Sequence, residues 1–446
     1  MGLGAAPTPD ADRNPDGAAV QRRAPFSDNP RVGARGQRAR QRILDAALRV
    51  FGEEGYHRCG VIRITEVAGC SRAAFYQYFS SKEDVFRQLA GEVGRQLTAS
   101  ADALGPITPD AAGWQTLRQW VERHGDIYDR YEPVFRAFQA AAESDEAVAS
   151  GADRIAQRHV AAVRAELTSS SPGTPPPRHV ETMIALLLES MTRTRHVAAR
   201  LVAALPPAAY PRSRVDDAVC DVLHRTLVGL DREVNAHPPA KRRPPRVPMG
   251  PVMRQGLAAD EPRGDLSPTG ERTLAALLEA GHDVLVTRGY HGTRVDDITA
   301  KAGVSHGAFY RYFDNKDHLI RLLAVRAIRS VSVALVDVPE LPDRGAGDTL
   351  RPWLRRYHRA HAAQAAMIRV WVDATTDDPS LQAESAAALD WGRRRMARFL
   401  APRGFGDPDT DALVMVALLD GFGARPQTPA TVGATAQIIE RGLLGR

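Results

Sequence analysis

Residues Ala68–Phe86 read AGCSRAAFYQYFSSKEDVF, and Ala302–Ile320 read AGVSHGAFYRYFDNKDHLI. The same nineteen-residue phrase thus occurs twice, displaced by 234 positions. That displacement also aligns Gly55-Tyr56-His57 with Gly289-Tyr290-His291. Over Ile43–Leu89 against Leu277–Leu323, about 20 of 47 positions agree without a gap. Farther along, LRQWVERH from Leu117 echoes LRPWLRRY from Leu350, displaced by 233. Repetition this extended implies two homologous halves of about 180–200 residues each.

The phrase itself predicts helices joined by a tight turn. A first helix is expected over 37–54, with Ile43, Ala47, Val50 and Phe51 at core spacing and Gly55 as its stop. A short helix follows over 63–68, Gly69 turns the chain, and Ser71 is a suitable N-cap for a third helix over 72–78. Two short helices with a glycine-containing turn between them make a helix-turn-helix. Phe75 and Phe79, four residues apart, should face inward. Arg72, Ala73, Tyr76 and Gln77 are left outside. Small Ala73 would let the helix approach a groove floor, Arg72 and Gln77 can reach base edges, and the Tyr76 hydroxyl can reach phosphate or base. Lys82, near the start of the next helix, is placed to hold a phosphate.

The stretches GYHRCGVIRITEVAGCSRAAFYQYFSSKEDVF (55–86) and GYHGTRVDDITAKAGVSHGAFYRYFDNKDHLI (289–320) resemble the DNA-binding domain of the tetracycline-repressor (TetR) family of bacterial transcription regulators. The resemblance covers about 50 residues per half. It implies an all-α fold made of two fused units, each a three-helix helix-turn-helix domain followed by a helical bundle that senses a ligand and dimerises. It also implies Thr293 as a cap and phosphate donor ahead of the second helix, where the first copy has Cys59. In the third helix, Arg72, Ala73 and Gln77 become His306, Gly307 and Arg311, so the two copies should prefer different bases. The expected DNA-contacting set is Ser71, Arg72, Ala73, Tyr76, Gln77, Tyr78 and Lys82 in the first copy. In the second it is Thr293, Arg294, Ser305, His306, Gly307, Tyr310, Arg311, Tyr312 and Lys316.

Outside the repeats, residues 1–36 read as a disordered tail and 237–267 as a Pro/Arg-rich linker. Between them the expected domains are 37–90 (first helix-turn-helix), 91–236 (first regulatory bundle), 268–324 (second helix-turn-helix) and 325–446 (second regulatory bundle). The chain of 446 residues has a net charge of +6, which mildly favours a polyanionic partner. Residues 37–90 hold nine basic and six acidic side chains, whereas 271–324 hold seven of each. The first copy should therefore grip phosphate more strongly. Three scattered cysteines suit a reducing compartment, no run is long and apolar enough to span a membrane, and a cytoplasmic location is expected. His358 and His361 stand three apart on a helix, but without a third ligand they read as ordinary hydrogen-bonded or solvated histidines.

No nucleophile–base pair, phosphate loop or metal cluster suggests an enzyme, and no cofactor is expected. The expected partners are a double-stranded DNA operator and a small-molecule effector of unknown chemistry. Half-sites about 34–36 Å apart, or multiples of that, would be read in successive major grooves. The two units could act as an intramolecular pseudo-dimer, tethered by the linker, or the chain could form a homodimer carrying four reading units. The alternative is a scaffold or co-regulator in which one or both motifs are vestigial.

Overall fold

The computed structural model describes residues 34–56, 58–144, 146–170, 179–231, 234, 243–250, 253–254, 266–340, 346–375 and 379–446. Among them all regular structure is helical. The chain divides into two compact units, residues 1–90 and 91–446. Most of the expected tail lies outside the described residues.

The first unit contains α1 (Ala34–Glu54), α2 (Val61–Ala68), α3 (Arg72–Tyr78) and the start of α4 (Lys82–Asp102). Ile43, Leu44, Ala47, Val50 and Phe51 form one buried stripe of α1. Gly69, at φ 62°, closes α2, and the N–H of Cys70 reaches back to the Thr65 carbonyl. Only a residue without a Cβ takes that left-handed conformation at no steric cost. Phe75 and Phe79 are buried with ring centroids 5.7 Å apart. The Tyr56 ring packs on Phe86, with centroids 4.9 Å apart, and completes the small core.

The second unit continues through α5 (Ala111–Ser144), α6 (Glu146–Ser170), α7 (Val180–Val202) and α8 (Arg212–Val228). The repeat then begins again with α9 (Pro268–Gly292), α10 (Val295–Ala302), α11 (His306–Phe309) and α12 (Lys316–Val336). It ends with α13 (Ala346–Ala362), α14 (Ala365–Ala374), α15 (Pro379–Leu400), α16 (Pro408–Ala424) and α17 (Pro429–Gln437), which runs on as a π-helical stretch to Leu443.

One hydrophobic core joins the two sequence halves in this unit. Met183, Leu187 and Met191 of α7 and Leu223 of α8 share it with Met415, Leu419 and Phe422 of α16 and with Ile438, Ile439 and Leu443. At Gly442 a Cβ would lie 2.2 Å from the Thr226 hydroxyl, so close approach of the C-terminal stretch to α8 requires glycine there. Charges cross the same junction. The buried Arg225 guanidinium donates to Asp411 at 3.1 Å and to the Gly442 carbonyl at 2.7 Å, and Arg403 pairs with the same Asp411. Arg193 pairs with Asp420, Arg214 with Asp407, and Arg425 with Glu189 at 2.7 Å. Arg225 and Asp411 are almost wholly inaccessible to solvent.

The second helix-turn-helix has a core continuous with its own bundle. Leu277, Leu285, Phe309 and Phe313 cluster with Met367, Val370 and Trp371 of α14 and with Leu381 of α15. The tract expected to be a flexible linker departs from that reading where it is described. Val247 is buried beside Leu201 and Ala387, and its N–H donates to Asp390 at 3.0 Å. Met253 is fully buried against the second copy's core. The prolines around Val247 lack donors, so this one peptide N–H needs a partner when buried, and Asp390 supplies it. Trp114, Trp120, Met183, Trp353, Trp371, Met396 and Met415 are buried core residues.

Candidate nucleic-acid interface

Each copy holds a short helix by two buried rings and turns the opposite side outward. In the first, the Ser71 hydroxyl accepts from the Ala74 N–H at 3.1 Å, which caps α3. Arg72, Ala73, Tyr76 and Gln77 are exposed, and Tyr78 is half-buried. Tyr76 retains 50% of its surface, although its ring meets Phe75 edge-on at 5.3 Å. In the second copy Ser305, His306, Gly307 and Arg311 are exposed and Tyr312 is half-buried. Tyr310 retains 51% of its surface. In both copies a large aromatic thus stands half in water, backed by a packed phenylalanine.

The copies then diverge. α3 runs seven residues from Arg72 to Tyr78, whereas α11 stops after four, at Phe309. Tyr310, Arg311 and Tyr312 belong to the turn that follows, not to the helix their spacing predicts. Glycine at 307 in place of Ala73 weakens the helix by about 1 kcal/mol. The Ser305 hydroxyl makes no capping bond, unlike that of Ser71. The His306 imidazole Nδ1 lies 2.6 Å from the Asp296 carboxylate, ten residues earlier.

Three other expected contacts are placed differently. Thr293 is buried, its hydroxyl donates to the Gly289 carbonyl at 2.7 Å, and the N-cap of α10 is Arg294. Thr293 is therefore no cap for that helix, and its hydroxyl proton is taken up by the Gly289 carbonyl. Cys59 occupies the equivalent place in the first copy and is also buried, which pushes its thiol up to about 11. Both residues are thus buried at matching places in the two copies. Lys82, expected on a phosphate, donates to the Tyr56 carbonyl at 2.9 Å and lies 4.4 Å from the centre of that ring. Lys316 repeats this with Tyr290, at 2.7 Å and 4.0 Å, and adds the Thr293 carbonyl at 3.3 Å. In both copies the ammonium ties the segment that follows Gly55 or the kink at Gly289 to the start of the fourth helix. The matched Gly-Tyr and Lys in the two phrases carried that signal, which shows only once the fold brings them together.

Charge around the reading helices also differs. Asp296 and Asp297 stand at the start of α10, and Asp297 pairs with Arg288 at 2.6 Å. The backbone N–H of Arg294 holds the Asp297 carboxyl below its usual range, with Arg288 assisting. Arg63 of the first copy is engaged by Glu54 at 2.5 Å and Glu66 at 3.3 Å. His358 and His361 are buried and bonded to the Arg425 carbonyl and to Asp420. No helix among the described residues is long and apolar enough to cross a membrane.

The profile described as "Bacterial regulatory proteins, tetR family" matches this chain twice, over residues 43–89 and 277–323. Two separate stretches of one chain thus match that profile, each over 47 residues. The HTH-type transcriptional repressor AcnR of Corynebacterium glutamicum is 32% identical over 114 residues, covering 24% of this chain and 58% of that protein. An HTH-type transcriptional repressor of Mycobacterium tuberculosis is 34% identical over 92 residues, covering 19% of this chain and 49% of that protein. The chain thus spans about half the length of these relatives. Among solved structures, the flavonoid-responsive regulator FrrA is 26% identical, with 39% of this chain and 94% of that chain covered and a TM-score of 0.29.

Proposed function

We propose that this protein is a sequence-specific DNA-binding transcription regulator, most simply a repressor, whose two reading heads are carried on one chain. The observation that carries the proposal is the outward row Arg72, Ala73, Tyr76 and Gln77 on a capped helix, with Phe75 and Phe79 buried behind it. That row combines a small residue for close approach with donors suited to base edges and phosphate. The named function of the relatives, transcriptional repression, supports the same reading.

The assembly we propose is an intramolecular pseudo-dimer. Its support is the core that α7 and α8 share with α16 and α17, together with the buried pairing of Arg225 and Asp411 across the halves. A junction of this kind occupies within one chain the face that a second chain would need. Release by a small ligand entering a bundle belongs to the proposal as well. The apolar side chains of Trp120, Val163, Ile184, Leu187 and Leu223 meet without space for a water molecule between them, so a ligand at that point would have to repack them.

The test is footprinting of the full chain on fragments of its own genome, with sedimentation of the bound complex. The expected result is a protected two-part site occupied by one chain, with affinity reduced at least tenfold by replacing Arg72 and Tyr76 together with alanine. Sequence-indifferent binding, or affinity unchanged in that double variant, would refute the reading. Two chains per site would refute the pseudo-dimer alone.

A further inference from the structure

The two heads differ in what they can offer a base pair. α3 presents nearly two full turns, and on it Arg72 and Gln77 carry no hydrogen bond or ion pair among the described residues. Arginine reads guanine through two parallel hydrogen bonds, and glutamine reads adenine in the same way. α11 presents one turn. Its second residue, Gly307, has no side chain, and its first, His306, is held by the Asp296 carboxylate at 2.6 Å with its ring 5.2 Å from that of Tyr310. The Asp296 side chain is itself 79% exposed, so it adds a negative charge beside the surface that would meet phosphate.

We propose that the heads divide the work, resting on the DNA-binding reading above. The first head specifies sequence through Arg72 and Gln77. The second touches the duplex more weakly and with little base preference, because Asp296 occupies Nδ1 of His306 and fixes its ring, and Gly307 has no side chain. Tyr310 and Arg311, exposed in the turn after α11, serve the backbone, where contacts fix register without reading sequence. The composite operator then contains one informative half-site bearing guanine and adenine within a turn of helix, beside a degenerate one. Asp296 is the positioning residue that sets this asymmetry.

The experiment is enrichment of bound duplexes from a random-sequence pool by the full chain, with thermal melting of each variant to verify folding. The parent should yield one strongly constrained half-site. Arg72→Ala and Gln77→Ala should each reduce preference at one base by about tenfold to a hundredfold. Arg72→Lys keeps the charge while losing the two-pronged contact, so it should lower preference while leaving melting unchanged. His306→Ala should leave the motif as it is, and Asp296→Ala, which removes the acceptor on His306 Nδ1, should create a preference in the degenerate half. Two equally constrained half-sites, a motif lost in His306→Ala, or an Asp296→Ala profile identical to the parent would each overturn the division of work while leaving DNA reading intact. Failure of the parent to enrich any sequence would instead overturn the DNA-reading function, and this inference with it.

Discussion

Replacing Asp411 with asparagine should destabilise the protein more than any surface change of the same size. Asp411 is buried between two guanidinium groups, Arg225 at 3.1 Å and Arg403, and both are almost inaccessible to water. Asparagine keeps the shape and one acceptor oxygen but removes the charge, and it turns an N–H₂ group towards a cation. Asp221, 3.6 Å from Arg225, is left to compensate two positive groups. Breaking a buried pair in this way typically costs about 3–5 kcal/mol, against total stabilities of about 5–15 kcal/mol. For a unit of residues 91–446, unfolding entropy of about 2.1 cal/mol/K per residue converts that loss to a fall in Tm of about 4–7 °C. Urea unfolding followed by the buried tryptophans Trp114, Trp120 and Trp353 would measure it. Hydrogen exchange would show whether amides of α8 and α16 lose protection together. Arg158→Ala, which breaks an exposed pair with Asp102, is the matched control and should leave the unfolding midpoint close to that of the parent. A loss below about 1 kcal/mol for Asp411→Asn, or lost protection in only one of the two helices, would refute the idea that this cluster fastens one half to the other.

Ser71→Ala should destabilise the first head by about 1 kcal/mol through loss of the α3 cap, while Ser305→Ala should change little; melting of the two variants compares them. Lys82→Met should lower stability by about 1 kcal/mol by freeing the Tyr56 carbonyl, and a salt slope of DNA binding unchanged from the parent would separate this from a phosphate contact. Burial, aided by Arg195 and His159, pushes the His124 imidazole down to about 3. The neutral ring is therefore favoured in the fold. Its contribution is complete above the unfolded value near 6.5, declines by about 1.4 kcal/mol per pH unit below it, and is gone below the folded value. Urea midpoints of the parent and of His124→Gln from pH 7 to pH 4 should diverge accordingly, and parallel curves would refute the assignment.

Much of each reading head is legible locally. The spacing of Phe75 and Phe79, the turn at Gly69 and the cap at Ser71 are all decided by neighbours within a few residues. What eluded the sequence is non-local. A lysine near a helix start suggests a phosphate, but the nearest acceptor in the fold is a tyrosine carbonyl 26 residues earlier in each copy. Thr293 suggests a cap until the bend at Gly289 buries it. His306 suggests a reader until Asp296 meets it across the turn. Val247 sits in a proline-rich run whose composition predicts a free spacer, and a single carboxylate at Asp390 fixes it. For Lys82, Lys316, His306 and Val247 a polar partner ten or more residues away overrides a local tendency, and for Thr293 a backbone bend four residues earlier does so.

The charges at the junction of the halves bear on why the repeat sits in one chain. In a symmetric dimer every contact occurs twice, with residue and partner exchanged, so both members of an ion pair must stand on the same polypeptide surface. Fusion lifts that requirement. Here Arg193, Arg214 and Arg225 come from the first half, and Asp420, Asp407 and Asp411 that receive them come from the second. Glu189 with Arg425 is the pair of opposite sense. Sorting cations to one half and carboxylates to the other rewards the pairing of unlike halves, since like halves brought together would forfeit these partners and leave the buried Arg225 with Asp221 alone. In the regulator proposed above, the same freedom lets the two heads diverge, because neither has to serve both sides of an operator. A sign-sorted junction and short helices of unequal length, α3 and α11, are both open to halves joined covalently.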